Sequence, residues 1–241
     1  MDRLRGRRVF VGGVGPGLGS AVVYLALSEG AGVYAAARSR DFLERLRREF
    51  SRFGELHIGA YDLSRPEGAE AAVADAATKL GGLDGVVVTA GGYAETPIEE
   101  LDPSALEDLL SRNLKAHLYV VKAATKHLKP GSSIVLVTAV GGAYPAWLRR
   151  NVAYVASKAA LARAVESLAA ELIDKGIRVN GVAPGGMSKD FTPGGAARRP
   201  PLGAPQAPPE EVARVVIWLL ADESYWVNGA VIPADGGRRL A

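Results

Sequence analysis

Tyr154 and Lys158 stand four residues apart in NVAYVASKAALARAVESLAAEL, a stretch without internal Gly or Pro whose apolar spacing predicts one long amphipathic helix. Both side chains then leave the same helical face. A phenol beside an ammonium group has a chemical use, because the positive charge favours phenolate and draws the tyrosine pKa down from about 10 toward neutrality. Such a tyrosine exchanges a proton with an alcohol or a carbonyl. The pair alone decides little, since Tyr and Lys at this spacing also decorate solvated helix faces.

A second constellation lies near the N-terminus. The run Arg7 to Val11 reads as a short buried strand and passes directly into Gly12-Gly13-Val14-Gly15-Pro16-Gly17-Leu18-Gly19, followed by an apolar helix through about Glu29. Strand, glycine turn and helix together make a phosphate cradle. Glycines let the backbone approach a pyrophosphate, and the free N–H groups and positive end of the new helix stabilise its charge. The spacing G-x-x-x-G-x-G is carried by Gly13, Gly17 and Gly19. Its place between strand and helix separates it from a plain flexible loop.

These groups need a scaffold that brings the two ends of the chain together. Val/Ile-rich runs around Val9, Val33, Ile58, Val86, Ile134, Val179 and Val231 alternate with helical patterns. Seven strands separated by helices predict a single α/β domain over 1–241, a Rossmann fold with a doubly wound seven-stranded parallel sheet and helices on both faces. Ligands then sit beyond the carboxyl ends of the strands, where the glycine turn, Asp62, Thr89 to Gly92, Ala139 and Pro184 all fall.

The end of the second strand, GVYAAARSR, bears on the choice of dinucleotide. A carboxylate about 20 residues after the glycine turn would accept bonds from the ribose hydroxyls of NAD, whereas an arginine there receives the 2′-phosphate of NADP. Here Ala37 is followed by Arg38 and Ser39, a planar fork of donors and a hydroxyl. NADP(H) is therefore expected over NAD(H).

Composition removes several alternatives. The 241 residues include no cysteine, and His57, His117 and His127 show no ligand spacing, so neither disulfides nor a metal site is expected. No apolar run is long enough to span a bilayer, and MDRLRGRRVFV lacks the apolar segment of a signal peptide, which predicts a cytoplasmic location and no membrane partner. The formal charge is +3, and the basic runs at Arg3 to Arg8 and Arg45 to Arg48 lack interleaved aromatics, which favours solvated faces over nucleic acid binding. Only eight of the 29 basic residues are lysine, a hint of a thermophile source.

Taken together these residues resemble the short-chain dehydrogenase/reductase family, including its 3-oxoacyl-carrier-protein reductases. The resemblance spans nearly the whole chain: the glycine turn, Asp62, TAGG from Thr89, Asn113, YVASK, RVNGVAPGG from Arg178, PPEEVARVVIWLLAD from Pro208 and the ending VNGAVIPADGG. It implies that Asp62 and Leu63 flank the adenine, that Ala90 and Gly91 run under its ribose, and that the backbone from Pro16 through Leu18 faces the pyrophosphate. It implies further that Lys158 bonds the nicotinamide ribose, that Pro184-Gly185 holds the carboxamide, and that Asn113 helps hold a water in a proton relay from Lys158. Relatives are usually tetramers, which predicts a homotetramer paired through the long helices around Asn113 and Tyr154 and the last strand near Val231.

One departure stands out. Family members usually end the fifth strand with two serines, the second of which bonds the substrate oxygen; in SSIVLVTAVGG the pair is Thr138-Ala139. Ala139 has no donor, and it precedes Tyr154 by more residues than is usual. Thr138, Thr89 or a loop group is expected to compensate, with Thr138 counted among the catalytic residues beside Tyr154, Lys158 and Asn113. Thr89 and Gly12 also replace the family's usual Asn and Thr.

The expected reaction is reversible hydride transfer between nicotinamide and a small-molecule carbonyl or secondary alcohol, with Tyr154 as acid and base. The competing expectation is a non-catalytic NADP-binding sensor or assembly protein of the same fold, which the missing serine favours and the retained Tyr/Lys/Asn set opposes. A Gly/Pro-rich segment at about 187–208 is expected to form the substrate lid. Arg198 and Arg199 there suit an anionic substrate or solvent, and Tyr93, Tyr144 and Trp147 either wall the site or pack the loop.

Overall fold

The computed structural model describes residues 2–144, 149–189, 191–194 and 199–240. Seven strands, β1 (Arg8–Gly12), β2 (Gly32–Ala37), β3 (Leu56–Ala60), β4 (Leu83–Val88), β5 (Leu128–Val137), β6 (Arg178–Pro184) and β7 (Val231–Ala234), form one sheet in the order β3-β2-β1-β4-β5-β6-β7. Every neighbouring pair is parallel. The strand order reverses between β1 and β4, which opens a crevice at their carboxyl ends.

Alternation along the strands explains why both faces are covered. Val9, Val11, Val33, Ala35, Val87, Val135 and Val182 point to one side, packing under α1 (Leu18–Ser28), α2 (Arg40–Phe50) and α8 (Pro209–Leu220). Phe10, Tyr34, Ala36, Val86, Val88, Ile134 and Leu136 point to the other. They meet α3 (Pro66–Leu80), α5 (Ala116–Ala124) and α7 (Val152–Leu172). A one-residue slip in any strand would exchange its two faces, so register is strongly fixed. Burying each Val, Ile, Leu or Phe contributes about 1.5–3 kcal/mol.

Two shorter helices complete the site's frame: α4 (Pro103–Leu110) and α6 (Val140–Ala143). Between α4 and α5 the backbone widens into a π-helical turn at Ser111–Lys115, which turns Asn113 inward to complete burial. Such turns accompany functional sites often enough to direct attention to it.

The basic run near the N-terminus is consumed in ion pairs. Arg3 bonds Glu29 at 2.6 Å, Arg8 bonds Asp84 at 2.7 Å, and Arg7 pairs with Asp222. Among the described residues no helix is long and apolar enough to cross a membrane, and no group of acidic residues and histidines is arranged to hold a metal ion.

Candidate active site

The glycine turn lies where β1 gives way to α1, and two of its glycines are required by their surroundings. Gly13 has φ +79°, and a methyl group placed on it would lie 2.3 Å from the Cα of Ala90. On Gly19 the same group would come within 2.7 Å of Val14 Cα, which would push α1 off the turn. A methyl group on Gly17 would lie 3.0 Å from the Lys189 carbonyl oxygen, so the segment after β6 passes over the cradle. Leu18 begins α1, placing the free N–H groups of the first turn beside Gly17 and Pro16.

From this turn a cleft of about 150 Å³ runs along the carboxyl ends of β2 and β3, lined by Gly13, Arg38, Asp62, Leu63, Ala90 and Gly91 among others. One Asp62 oxygen accepts from the Ser64 backbone at 3.0 Å and from its hydroxyl at 2.6 Å. These bonds, aided by Arg38 and Arg65, hold the Asp62 carboxyl below the usual carboxylate range. Ser39 caps α2, accepting from the Phe42 N–H at 3.3 Å. That leaves its own proton free and puts the positive end of a helix beside Arg38.

The cleft reaches the residues of the long helix through Gly91. A methyl group there would lie 3.0 Å from Asn113 Oδ1 and 3.4 Å from Lys158 Nζ, so cleft and helix face are contiguous. Asn113 accepts from the Gly92 N–H at 2.8 Å and donates to the Gly92 carbonyl and to Ser157 Oγ, both at 3.0 Å. Lys158 is buried, and its Nζ donates to the Val137 carbonyl at 2.8 Å. Removal from water pushes its pKa down to about 7.

Tyr154 lies one turn before Lys158 on α7, as the spacing predicts, but the two do not perturb each other as expected. Burial first, and Tyr93 second, raise the Tyr154 pKa above its ordinary value. No hydrogen bond joins the two side chains among the described residues; Lys158 Nζ donates instead to the end of β5, and burial sets the direction of the Tyr154 shift. The Tyr93 ring stands edge-on to Tyr154, with centroids 5.2 Å apart. The start of α7 is gripped from outside: Thr96 Oγ1 accepts from the Ala153 N–H at 3.2 Å, and the Thr96 N–H donates to the Arg150 carbonyl at 2.6 Å.

Comparison with known proteins agrees with this arrangement. Residues 13–239 match the family model described as enoyl-(acyl carrier protein) reductase. The chain is 30% identical to versicolorin reductase of Emericella nidulans, over 98% of this chain and 96% of that one. It is 31% identical to the 3-oxoacyl-(acyl-carrier-protein) reductase of Thermotoga maritima, over 98% of each. A short-chain dehydrogenase/reductase from Serratia marcescens superposes with a TM-score of 0.90 at 26% identity, covering 98% of this chain and 99% of that one. The chain belongs to the short-chain dehydrogenase/reductase family.

Against that family's pattern the strand end after β5 is the point of departure. Thr138 is buried, and its hydroxyl donates to the Val182 carbonyl at 3.0 Å, the same oxygen its N–H reaches at 2.8 Å. It therefore does not turn toward Tyr154, because a buried hydroxyl takes the strongest acceptor within reach. Thr89 is likewise engaged, donating to the Gly12 and Gly13 carbonyls at 3.2 and 3.0 Å, and staples β4 to the glycine turn. Ala139 presents only a methyl group and opens α6, whose Gly142 packs on the backbone of Lys158.

At the end of β6, Pro184 pairs in register with Ala234, and the Gly185 N–H donates to the Ala234 carbonyl at 3.2 Å. Tyr144 is not part of a wall around Tyr154: its hydroxyl bonds the Val231 carbonyl, and the Arg239 guanidinium lies 4.9 Å from its ring centroid. Trp147 and Arg198 lie outside the described residues, and Arg199 is exposed. Sequence reading overlooked Arg112, which lines the cleft and pairs with Asp108, and the fully buried His117. A histidine one helical turn beyond Asn113 was the only signal for the latter.

Proposed function

We propose that this chain is an NADP(H)-dependent oxidoreductase that reduces a carbonyl or oxidises a secondary alcohol, with Tyr154 as the proton donor and acceptor. The observation that carries the reading is the position of Gly91, which lines the cleft and at the same time abuts Asn113 and Lys158. A dinucleotide lying along that cleft from Arg38 has its far end directed to α7.

The residues present fit such a cofactor. The cradle at Gly13 is closed to any side chain, α1 offers free N–H groups, and Arg38 forms no ion pair among the described residues. Arg38 and Ser39 would take a 2′-phosphate, Asp62 and Leu63 the adenine, Ala90 and Gly91 its ribose, and Pro184 and Gly185 the carboxamide end. When bound, the nicotinamide supplies or accepts the hydride.

The protein's own part is proton handling and orientation. Tyr154, kept as a phenol at neutral pH, gives its proton to the substrate oxygen in reduction and takes it back in oxidation. Lys158, which here donates to the Val137 carbonyl, would bond the ribose hydroxyls of a bound cofactor, and its charge would stabilise the Tyr154 phenolate. Asn113 fixes the Gly92 turn and, through Ser157, the helix carrying both residues. The segment at about 187–208 serves as the lid, and the protein works as a homotetramer on a small-molecule substrate.

The test is a Tyr154→Phe variant assayed by NADPH absorbance with a panel of ketones. Turnover falls by a thousandfold or more while NADPH binding, read by fluorescence, stays within about threefold. Turnover equal to the parent's removes Tyr154 from the mechanism, and tight NADPH binding without turnover by either protein favours the sensor.

A further inference from the structure

Arg112 stands in the wall of the cleft, one residue before Asn113 on the π-helical turn, and the dinucleotide reading leaves it without a task. Its place along the cleft is defined. With Arg38, Asp62 and Ser64 it borders both this cleft and a second cavity of about 580 Å³, which continues outward between the starts of α3 and α4. That is the end at which the adenosine would lie.

The guanidinium is held on one side and open on another. Its Nη2 pairs with Asp108, and its Nε is buried without a hydrogen-bond partner among the described residues. The Nε–Nη2 edge, with which an arginine grips phosphate through two parallel bonds, is therefore closed. A methyl group on Gly92 would lie 2.9 Å from both Cζ and Nη1 of Arg112 and 3.2 Å from Nε. Near-equal distances to the central carbon and two of its nitrogens put that methyl over the flat face of the group, not beside its rim. One face thus rests on the Thr89–Gly92 turn, in space that a side chain at 92 would contest. The side chain still keeps 35% of its surface exposed. Leu63 and Ala116, both buried and apolar, line the same cleft. Such surroundings, apolar side chains beside the open face of a planar cation, suit a flat aromatic ring better than an anion.

Resting on the dinucleotide reading above, we propose that Arg112 is a cofactor-binding residue whose open guanidinium face stacks on the adenine ring, independently of any 2′-phosphate. Arg38 and Arg112 then divide the adenosine end between them, one reading the phosphate and the other the base. A cation on a π-face, partly shielded from water, sets the scale at about three- to thirtyfold in affinity.

The experiment measures dissociation constants of adenosine 2′,5′-bisphosphate and of AMP by displacement of bound NADPH, followed through NADPH fluorescence, with the parent, Arg112→Ala and Arg112→Lys. The two ligands differ only in the 2′-phosphate, and neither carries a nicotinamide. Arg112→Ala weakens both about fivefold or more and by the same factor, while its melting temperature stays within about 3 °C of the parent's. Arg112→Lys keeps the charge without the plane and remains weaker than the parent by about threefold or more for both.

Unchanged affinities in Arg112→Ala overturn the proposal, and a loss confined to the bisphosphate does so as well, by assigning Arg112 to the phosphate. Parent-like binding by Arg112→Lys overturns the stacking, since charge alone would then suffice. Should Arg112→Ala not fold, the lysine variant decides alone. A parent that binds neither NADPH nor either adenosine ligand overturns the dinucleotide reading itself and this proposal with it.

Discussion

His117 Nε2 donates to the carbonyl of Ala90 across 2.8 Å, tying the first turn of α5 to the floor of the cleft. Its other ring nitrogen is buried without a partner, and desolvation, followed by the charge of Lys158, pushes its pKa down to about 3. His117 is thus a neutral, single-donor brace for the Thr89–Gly92 turn.

That brace has a pH signature. A base whose folded pKa is depressed below its ordinary 6.5 binds its proton more readily when unfolded. Its contribution to stability is therefore full above about pH 6.5 and is lost as pH falls toward 3. Urea midpoints of the parent should drop more steeply between pH 6.5 and 4 than those of His117→Gln, which keeps a donor for Ala90 without titrating. Parallel curves for the two proteins would show that His117 does not titrate on unfolding. His117→Phe strands the Ala90 carbonyl and should cost about 1–3 kcal/mol, with weaker NADPH binding.

Lys158 gives the opposite end of the pH scale. Its pKa falls from 10.5 to about 7, so the stability tied to this group is present above 10.5 and is lost as pH falls toward 7. In cofactor-free protein the melting temperature of Lys158→Met relative to the parent should rise steadily as pH is lowered from 10 to 7. A difference independent of pH would mean that Lys158 keeps an ordinary pKa. Turnover of the same variant should be near background.

On the NADP(H) reading proposed above, Arg38 is the residue expected to set the choice of cofactor. Arg38→Ala removes a charge-assisted bond worth about 1.5–3 kcal/mol, so KM for NADPH should rise about tenfold or more while KM for NADH changes less than twofold. An equal effect on both would assign Arg38 to the surface.

Asn113 makes three hydrogen bonds from one buried amide. Asn113→Ala leaves Gly92 and Ser157 without those partners and should cost about 2–4 kcal/mol in chemical denaturation, lowering kcat further than the loss of folded protein explains. Asn113→Ser with unchanged stability would show that water replaces the amide at no cost.

The fold was legible in the chain because its signals are local. GRRVFVGG, GVVVTAGG and SSIVLV each announce a buried strand by composition, and each runs into a turn whose glycines or polar residues mark a carboxyl end. The site was legible where a motif is contiguous, as at the glycine turn and at Tyr154 and Lys158. It was not legible where a side chain's use depends on a distant backbone group. Thr138 had two possible directions from sequence, and the choice was made by Val182, 44 residues on. Lys158 was expected to face Tyr154, and the Val137 carbonyl 21 residues earlier draws it aside. His117 looked unremarkable because nothing in its neighbourhood along the chain reveals that Ala90 faces it.

The hold of Thr96 on Ala153 and Arg150 has a consequence for how such a molecule can change. Because the start of α7 is indexed to the segment after β4, the position of Tyr154 is set from that side as well as from the residues leading out of Ala139. A change in the length of the loop before Arg150 should therefore move Tyr154 less than the loss of Thr96 does.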